Sequence, residues 1–407
     1  MDRHLSRPHP GAASERAALG LLQVMAVALL PCVVTWAAPL SPEAELGKAL
    51  FFERSLSASG RLACASCHDP QNAYGPPRGA GPVMLGGAHL DRLGLRTVPS
   101  LRYLDHRPRF SRHQYATSGD DAEDVGPGGG FMWDGRADSL EAQALLPLLD
   151  SREMANRDVH ELAARLRAAR EAPRMRGLFG AAALRDDAHA AALAGRALAR
   201  FELEDPSFHP YDSRYDAYLR GTERLSAQEL RGLQLFMSPA KGNCAECHPA
   251  APGPGGRPPQ FTDHRFAALG IPRNRQLAAN RDAGFHDLGL CGPLRSDLVT
   301  VNAEYCGLFR TPTLRNAGRR AHFFHNGRFS TLEDVVRFYA QRDLEPARWY
   351  SDSAGHVQRY DDLPSLYRVN VDHYDPPFDQ RPGQVAVLSE SEIHDLVAFL
   401  HTLDDRS

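Results

Sequence analysis

The pentapeptides Cys64-Ala65-Ser66-Cys67-His68 and Cys244-Ala245-Glu246-Cys247-His248 constrain this chain more than anything else in it. Both are C-x-x-C-H, and chemistry sets that spacing. Two thiols must reach the two vinyl groups of one porphyrin to form thioethers, and the next histidine falls over the ring face, where its imidazole can bind iron. A redox C-x-x-C with an incidental histidine is the competing reading of one copy, but no thioredoxin-like βαβ pattern surrounds either. A zinc ribbon wants four thiolates in one place, whereas the first cysteines of the two motifs stand 180 positions apart. The sequence therefore points to two covalent haems c, one on Cys64, Cys67 and His68, the other on Cys244, Cys247 and His248.

A local repeat supports two separate frameworks. Gly47-Lys48-Ala49-Leu50-Phe51-Phe52 precedes the first motif and Arg231-Gly232-Leu233-Gln234-Leu235-Phe236 the second. Each comes after a helix start signal, Ser41-Pro42-Glu43 or Ser226-Ala227-Gln228-Glu229. A short amphipathic helix, a loop and then C-x-x-C-H is how a cytochrome c domain begins. Near the end, Ser389-Glu390-Ser391-Glu392 caps a run in which Ile393, Leu396, Val397, Leu400 and Leu403 recur at helical spacing. Leu145, Leu146, Leu148 and the alanine-rich stretches 161–170 and 181–200 also read as helices, and strand signals are sparse. The expectation is a mainly α fold of two cytochrome c-like domains, 38–205 and 206–407, with long Gly/Pro-rich loops at 75–87, 118–130 and 250–258.

Arg3, Arg7 and Arg16 ahead of an apolar run from Ala17 to Val34 read as a signal peptide, residues 1–37, directing the chain to the periplasm. An uncleaved anchor is the other reading; Pro31 and the lack of a basic stop-transfer flank favour cleavage. Of the 7 cysteines, Cys32 goes with the leader, and Cys291 and Cys306 remain after the two motifs. In an oxidising compartment that pair reads as a disulfide contributing ~3 kcal/mol by loop closure, against the alternative of two buried thiols. A net charge of −3 leaves nothing to neutralise phosphates and argues against a nucleic-acid partner.

Three further segments carry a resemblance. Phe131-Met132-Trp133-Asp134-Gly135-Arg136-Ala137-Asp138-Ser139-Leu140-Glu141 lies between the motifs, and Thr311-Pro312-Thr313-Leu314-Arg315-Asn316 and His322-Phe323-Phe324-His325-Asn326-Gly327 come after the second. In this order they resemble the bacterial dihaem cytochrome c peroxidase and MauG superfamily over about residues 42–404. The resemblance implies a peroxide site at the first haem, with Glu141 as the acid that moves the proton during O–O cleavage. A glutamate in a haem pocket, its pKa raised by desolvation, suits that task. By itself Glu141 also reads as an exposed charge in the first turn of a helix. At the second haem the resemblance places the axial ligand opposite His248 at Tyr339, where peroxidases of the family carry methionine and the MauG branch carries tyrosine. Packing beside Phe338 is the plainer reading of Tyr339.

The chain departs from the family elsewhere. Met84 and His89 occupy the loop where a resting-state distal histidine is often found, Phe131 replaces a glutamine, and a bridging tryptophan is missing from the stretch Tyr103–Tyr115, so a tyrosine or no aromatic relay is implied. The resemblance also implies a calcium ion on the backbone carbonyls of Arg320 and His322 with Thr97 nearby, and His325 close to the second haem; as a lone histidine His325 also reads as a hydrogen-bonded core residue. The function implied is reduction of hydrogen peroxide with electrons from a small periplasmic cytochrome c or cupredoxin, in a possible homodimer. The rivals are a MauG-like oxidation of tyrosine or tryptophan on a partner protein, and a dihaem electron carrier.

Overall fold

A computed structural model describes residues 39–115, 124–298 and 302–407; the expected signal peptide lies outside them, as do residues 118–123 of the second expected long loop. Among the described residues twelve α-helices run in chain order as α1 Pro42–Phe51, α2 Cys64–Cys67, α3 Leu140–Leu149, α4 Val159–Ala168, α5 Ala172–Phe179, α6 Asp187–Glu204, α7 Arg214–Leu219, α8 Ala227–Met237, α9 Cys244–Cys247, α10 Leu332–Gln341, α11 Pro346–Tyr350 and α12 Glu390–His401. The strands among the described residues are two antiparallel pairs, β1 Leu85–Gly86 with β2 Arg92–Leu93 and β3 Phe266–Ala267 with β4 Phe309–Arg310. The protein is predominantly helical.

The caps form where the sequence places them. Ser41 accepts from the Ala44 N–H ahead of α1, and Ser226–Glu229 and Ser389–Glu392 close capping boxes on α8 and α12. The alanine-rich stretch 181–200 turns helical only from Asp187, because Asp186 caps it by accepting from the His189 N–H. α6 then runs on to Glu204, ending just before Pro206. α5 is a helix beyond those the sequence pattern predicts.

The repeated glycines explain how the helices pair. Gly47 of α1 meets α6 so closely that a Cβ there would lie 1.8 Å from the Ala197 carbonyl oxygen. Gly232 of α8 meets α12 the same way, 2.0 Å from the Asp395 carbonyl oxygen. A glycine inside a helix costs about 1 kcal/mol relative to alanine, and here it permits backbone-to-backbone approach. Two main clusters of buried apolar residues grow around these crossings. One spans Leu46 to Phe208 and includes Leu50, Phe51, Leu198 and Phe201; the other spans Tyr215 to Leu403 and includes Phe236, Phe261, Phe338 and Phe399. Gly232→Ala is expected to cost about 1–3 kcal/mol, because neither carbonyl-bearing backbone can yield. Gly177→Ala, in α5 with nothing near its Cβ, should instead stabilise by up to about 1 kcal/mol. Thermal unfolding followed by circular dichroism checks both.

Ion pairs tie distant segments together. Arg102 donates to Asp405 at 2.8 Å, and Asp405 also accepts from Tyr103 and Asn316 at 2.5 Å each. Arg315 makes a fork to Asp216 of α7 at 2.8 and 2.9 Å, which gives the arginine of the T-P-T-L-R-N run its task. Cys291 and Cys306 are joined by a disulfide.

Candidate haem sites

Each C-x-x-C-H forms one isolated helical turn, α2 or α9, so its two cysteines sit three residues apart on one side of that turn. The histidine caps the turn, its N–H donating to the carbonyl of the first cysteine, Cys64 or Cys244, at 2.9 Å in both cases. All four thiols are free of disulfides, and burial pushes each up to about 12.

The imidazoles are set alike. His68 Nδ1 lies 3.0 Å from the Tyr74 carbonyl oxygen and His248 Nδ1 lies 2.8 Å from that of Phe261. A carbonyl only accepts, so Nδ1 carries the proton and Nε2 keeps its lone pair for a metal. Burial holds His68 down to about 4, partly offset by the carbonyls of Tyr74 and Pro99, and burial also lowers His248. Neutral imidazoles aimed by a backbone carbonyl, next to paired thiols, fit a haem attached through two thioethers and ligated by one histidine.

The surroundings of the two sites differ. Around the first motif lies a cavity of about 1200 Å³ including its mouth, lined by Cys64, Cys67, His68, Gln143, Glu153 and Glu202 among others. His68 is its one histidine. Met84 lines it too, whereas His89 is exposed at the tip of the β1–β2 hairpin and does not; the hairpin, with Met84 at its foot, separates the two. Glu141 is not among the lining residues. It lies in the first turn of α3, exposed, with its carbonyl against Gly195 of α6. The cavity-lining positions of α3 are Gln143, Ala144 and Pro147; at 100° per residue Glu141 is about 60° from Ala144 and further from the other two, at the edge of that face.

Three acids that the sequence did not single out line this cavity, Asp150, Glu153 and Glu202. Glu202, 6% exposed on α6, is pushed up to about 8 by burial, and its Oε2 has no hydrogen-bond partner among the described residues. Glu153 is pushed up to about 7 by burial and then by Asp150. Gln143 Oε1 is likewise buried without a partner. On sequence alone Glu202 is the polar end of an alanine-rich helix, and nothing marks it out.

At the second motif, Tyr339 of α10 is close enough to Cys244 and Cys247 that both would raise its phenol further, beyond the larger effect of burial. Its ring lies between Phe324 at 6.0 Å and Phe378 at 5.3 Å. His325 is buried and stacked on Phe309 at 3.6 Å. No group of three or more His, Cys, Asp or Glu side chains suited to a metal occurs among the described residues. Thr97 donates its hydroxyl to the Phe324 carbonyl at 2.8 Å, and Arg320 donates to the Val98 carbonyl at 3.1 Å. In the stretch expected to hold an aromatic relay, Tyr103 is tied to Asp405; Trp133 borders both this cavity and a neighbouring one, its Nε1 donating to the Thr97 carbonyl at 2.8 Å.

Comparison with known proteins places this geometry. Residues 41–224 match the family model described as di-haem cytochrome c peroxidase. Methylamine utilization protein MauG of Paracoccus denitrificans (strain Pd 1222) is 32% identical over 378 residues, 89% of this chain and 88% of that protein. The chain belongs to the di-haem cytochrome c peroxidase and MauG family. Cytochrome c551 peroxidase of Nitrosomonas europaea is 29% identical over 297 residues, covering 72% of this chain and 71% of its own. The crystal structure of the diheme peroxidase BthA from Burkholderia thailandensis E264 superimposes with a TM-score of 0.81 at 37% identity, covering 91% of this chain and 88% of that one. As a family member the chain is an oxidoreductase of the di-haem peroxidase class. No helix among the described residues is long and apolar enough to cross a membrane.

Proposed function

We propose that this chain is a periplasmic peroxidase that reduces hydrogen peroxide to water with two electrons from a small redox protein, a cytochrome c or cupredoxin. The observation that carries the reading is the inequality of the two sites. His68 faces into a roomy cavity that brings no second histidine, whereas a tyrosine ring stands near the cysteines paired with His248. Bound to the two motifs in domains 38–205 and 206–407, haem would supply the iron that takes up peroxide and exchanges electrons. The chain's own part is to hold the rings through Cys64, Cys67, Cys244 and Cys247, to present His68 and His248 as neutral ligands, and to move protons.

Peroxide cleavage needs a proton delivered to the leaving oxygen. The resemblance gives that role to Glu141; the cavity supplies Glu202, which still holds its proton at neutral pH, and Glu153, poised to accept one. Two carboxyls at different pKa in one cavity are the arrangement acid–base chemistry uses. A calcium ion on the carbonyls of Arg320 and His322 belongs to the same proposal, as does a homodimer. The purified holoprotein is expected to show one high-spin and one low-spin ferric haem, with cyanide and peroxide perturbing the first. Two low-spin haems inert to both would make it an electron carrier.

Tyr339 favours a second reading, in which the oxidising equivalents are spent on tyrosine or tryptophan of a partner protein as in a MauG-like enzyme. Steady consumption of reduced cytochrome c under peroxide supports the first reading; a covalent mass change in a co-encoded protein supports the second.

A further inference from the structure

A second cavity, about 750 Å³, shares Pro99 and Trp133 with the first and reaches Phe324, the ring that flanks Tyr339. It therefore lies between the two haem sites. Its walls carry five arginines and not one aspartate or glutamate. Arg315 alone has a carboxylate partner, Asp216. Arg310 uses its donors on the carbonyls of Met132 and Thr311, Arg320 on that of Val98, and Arg319 on that of Asp405. Arg107 has less still: its guanidinium lies 5.1 Å from the Phe131 ring centre and its buried Nε has no partner among the described residues.

These charges also press on one another. Burial and the neighbouring charge of Arg310 push Arg107 well below the usual guanidinium range, and burial together with the charges of Arg107 and Arg310 holds His264 down to about 3. A guanidinium removed from water without a counter-charge is costly. Arg107, Arg310 and Arg320 are desolvated here, and Asp134 and Asp263 act on Arg310 alone without pairing with it, so the cavity suits an anion that its own walls do not provide. A planar fork of N–H donors suits a carboxylate best.

We propose that this cavity is a carboxylate-binding site, with Arg107 and Arg310 as its principal donors. Two sources present that chemistry. One is the propionate arms of a haem carried on the adjoining motif, so the inference rests in part on the two-haem reading but not on peroxide reduction. The other is a free carboxylate from solution.

The test uses the holoprotein, its R107Q variant and its R107K variant, with acetate as the probe and midpoint potentials and optical spectra as readouts. A cation beside a haem favours the electron-rich reduced state, so R107Q is expected to shift one midpoint downward and R107K to restore it. If R107Q shifts the midpoint and acetate changes neither protein, the propionates are the ligand. If acetate gives a saturable spectral shift in the wild type that R107Q loses, the ligand is a free carboxylate. Wild-type potentials in R107Q together with no acetate response in either protein overturn the proposal. Haem content measured on the same samples keeps loss of cofactor from passing for loss of charge, and no arm depends on turnover.

Discussion

Glu202→Gln is expected to lower peroxide turnover about 10²- to 10⁴-fold, the range a positioned general acid supplies. The substitution keeps the shape of the side chain and removes only the transferable proton. It should not unfold the protein, because the carboxyl has no partner at Oε2 to lose and burial already disfavours its charge. Glu202 is protonated below about 8, so wild-type turnover should fall as pH rises through that value, when the donor is lost. The Gln variant should lack that limb. Glu141→Gln is the necessary companion, since Glu141 is exposed and does not line the cavity, so its effect is expected to be below that of Glu202. A collapse of turnover in Glu141→Gln with wild-type rates in Glu202→Gln would return the proton to the residue the family resemblance names. Wild-type rates in both would remove the acid-assisted mechanism altogether.

The contrast between these two glutamates shows what this sequence reveals and what it hides. Cys64-x-x-Cys67-His68, its partner motif and the capping serines are local: spacing and side-chain chemistry within a few residues determine the turn, and the structure forms each of them. The repeated Gly47 and Gly232 are visible as a pattern, yet their reason, a carbonyl from α6 or α12 pressed against each, exists only once distant helices meet. Glu202 is 134 positions from the motif histidine whose cavity it shares, and no periodicity announces such a meeting. The arginine cavity is hidden for the same reason. Arg107, Arg310 and Arg320 are unremarkable in a chain this rich in arginine, and become informative only when they face one space without acids. Met84 and His89 are equals in the sequence, and a two-strand hairpin separates them.

Tyr339→Met is expected to raise the reduction potential of the second haem by a substantial part of the roughly 0.8 V that axial ligands span. Tyr339, half-buried, stands near the Cys244–Cys247 turn. Burial keeps that phenol neutral as long as nothing compensates its charge, since desolvation favours the uncharged form. A ferric haem iron held by His248 would supply the compensation, and phenolate, a hard anionic donor, would then stabilise the oxidised state. Methionine is neutral and soft and favours the reduced state, and its flexible side chain fits the space flanked by Phe324 and Phe378. Tyr339→Phe keeps the ring and removes the donor, so the second haem should gain high-spin character and begin to respond to cyanide. Spectroelectrochemistry and low-temperature EPR read both variants. Unchanged potential in the first and an unchanged spectrum in the second would make Tyr339 a packing residue, and the second haem would then take its sixth ligand from elsewhere or remain open like the first.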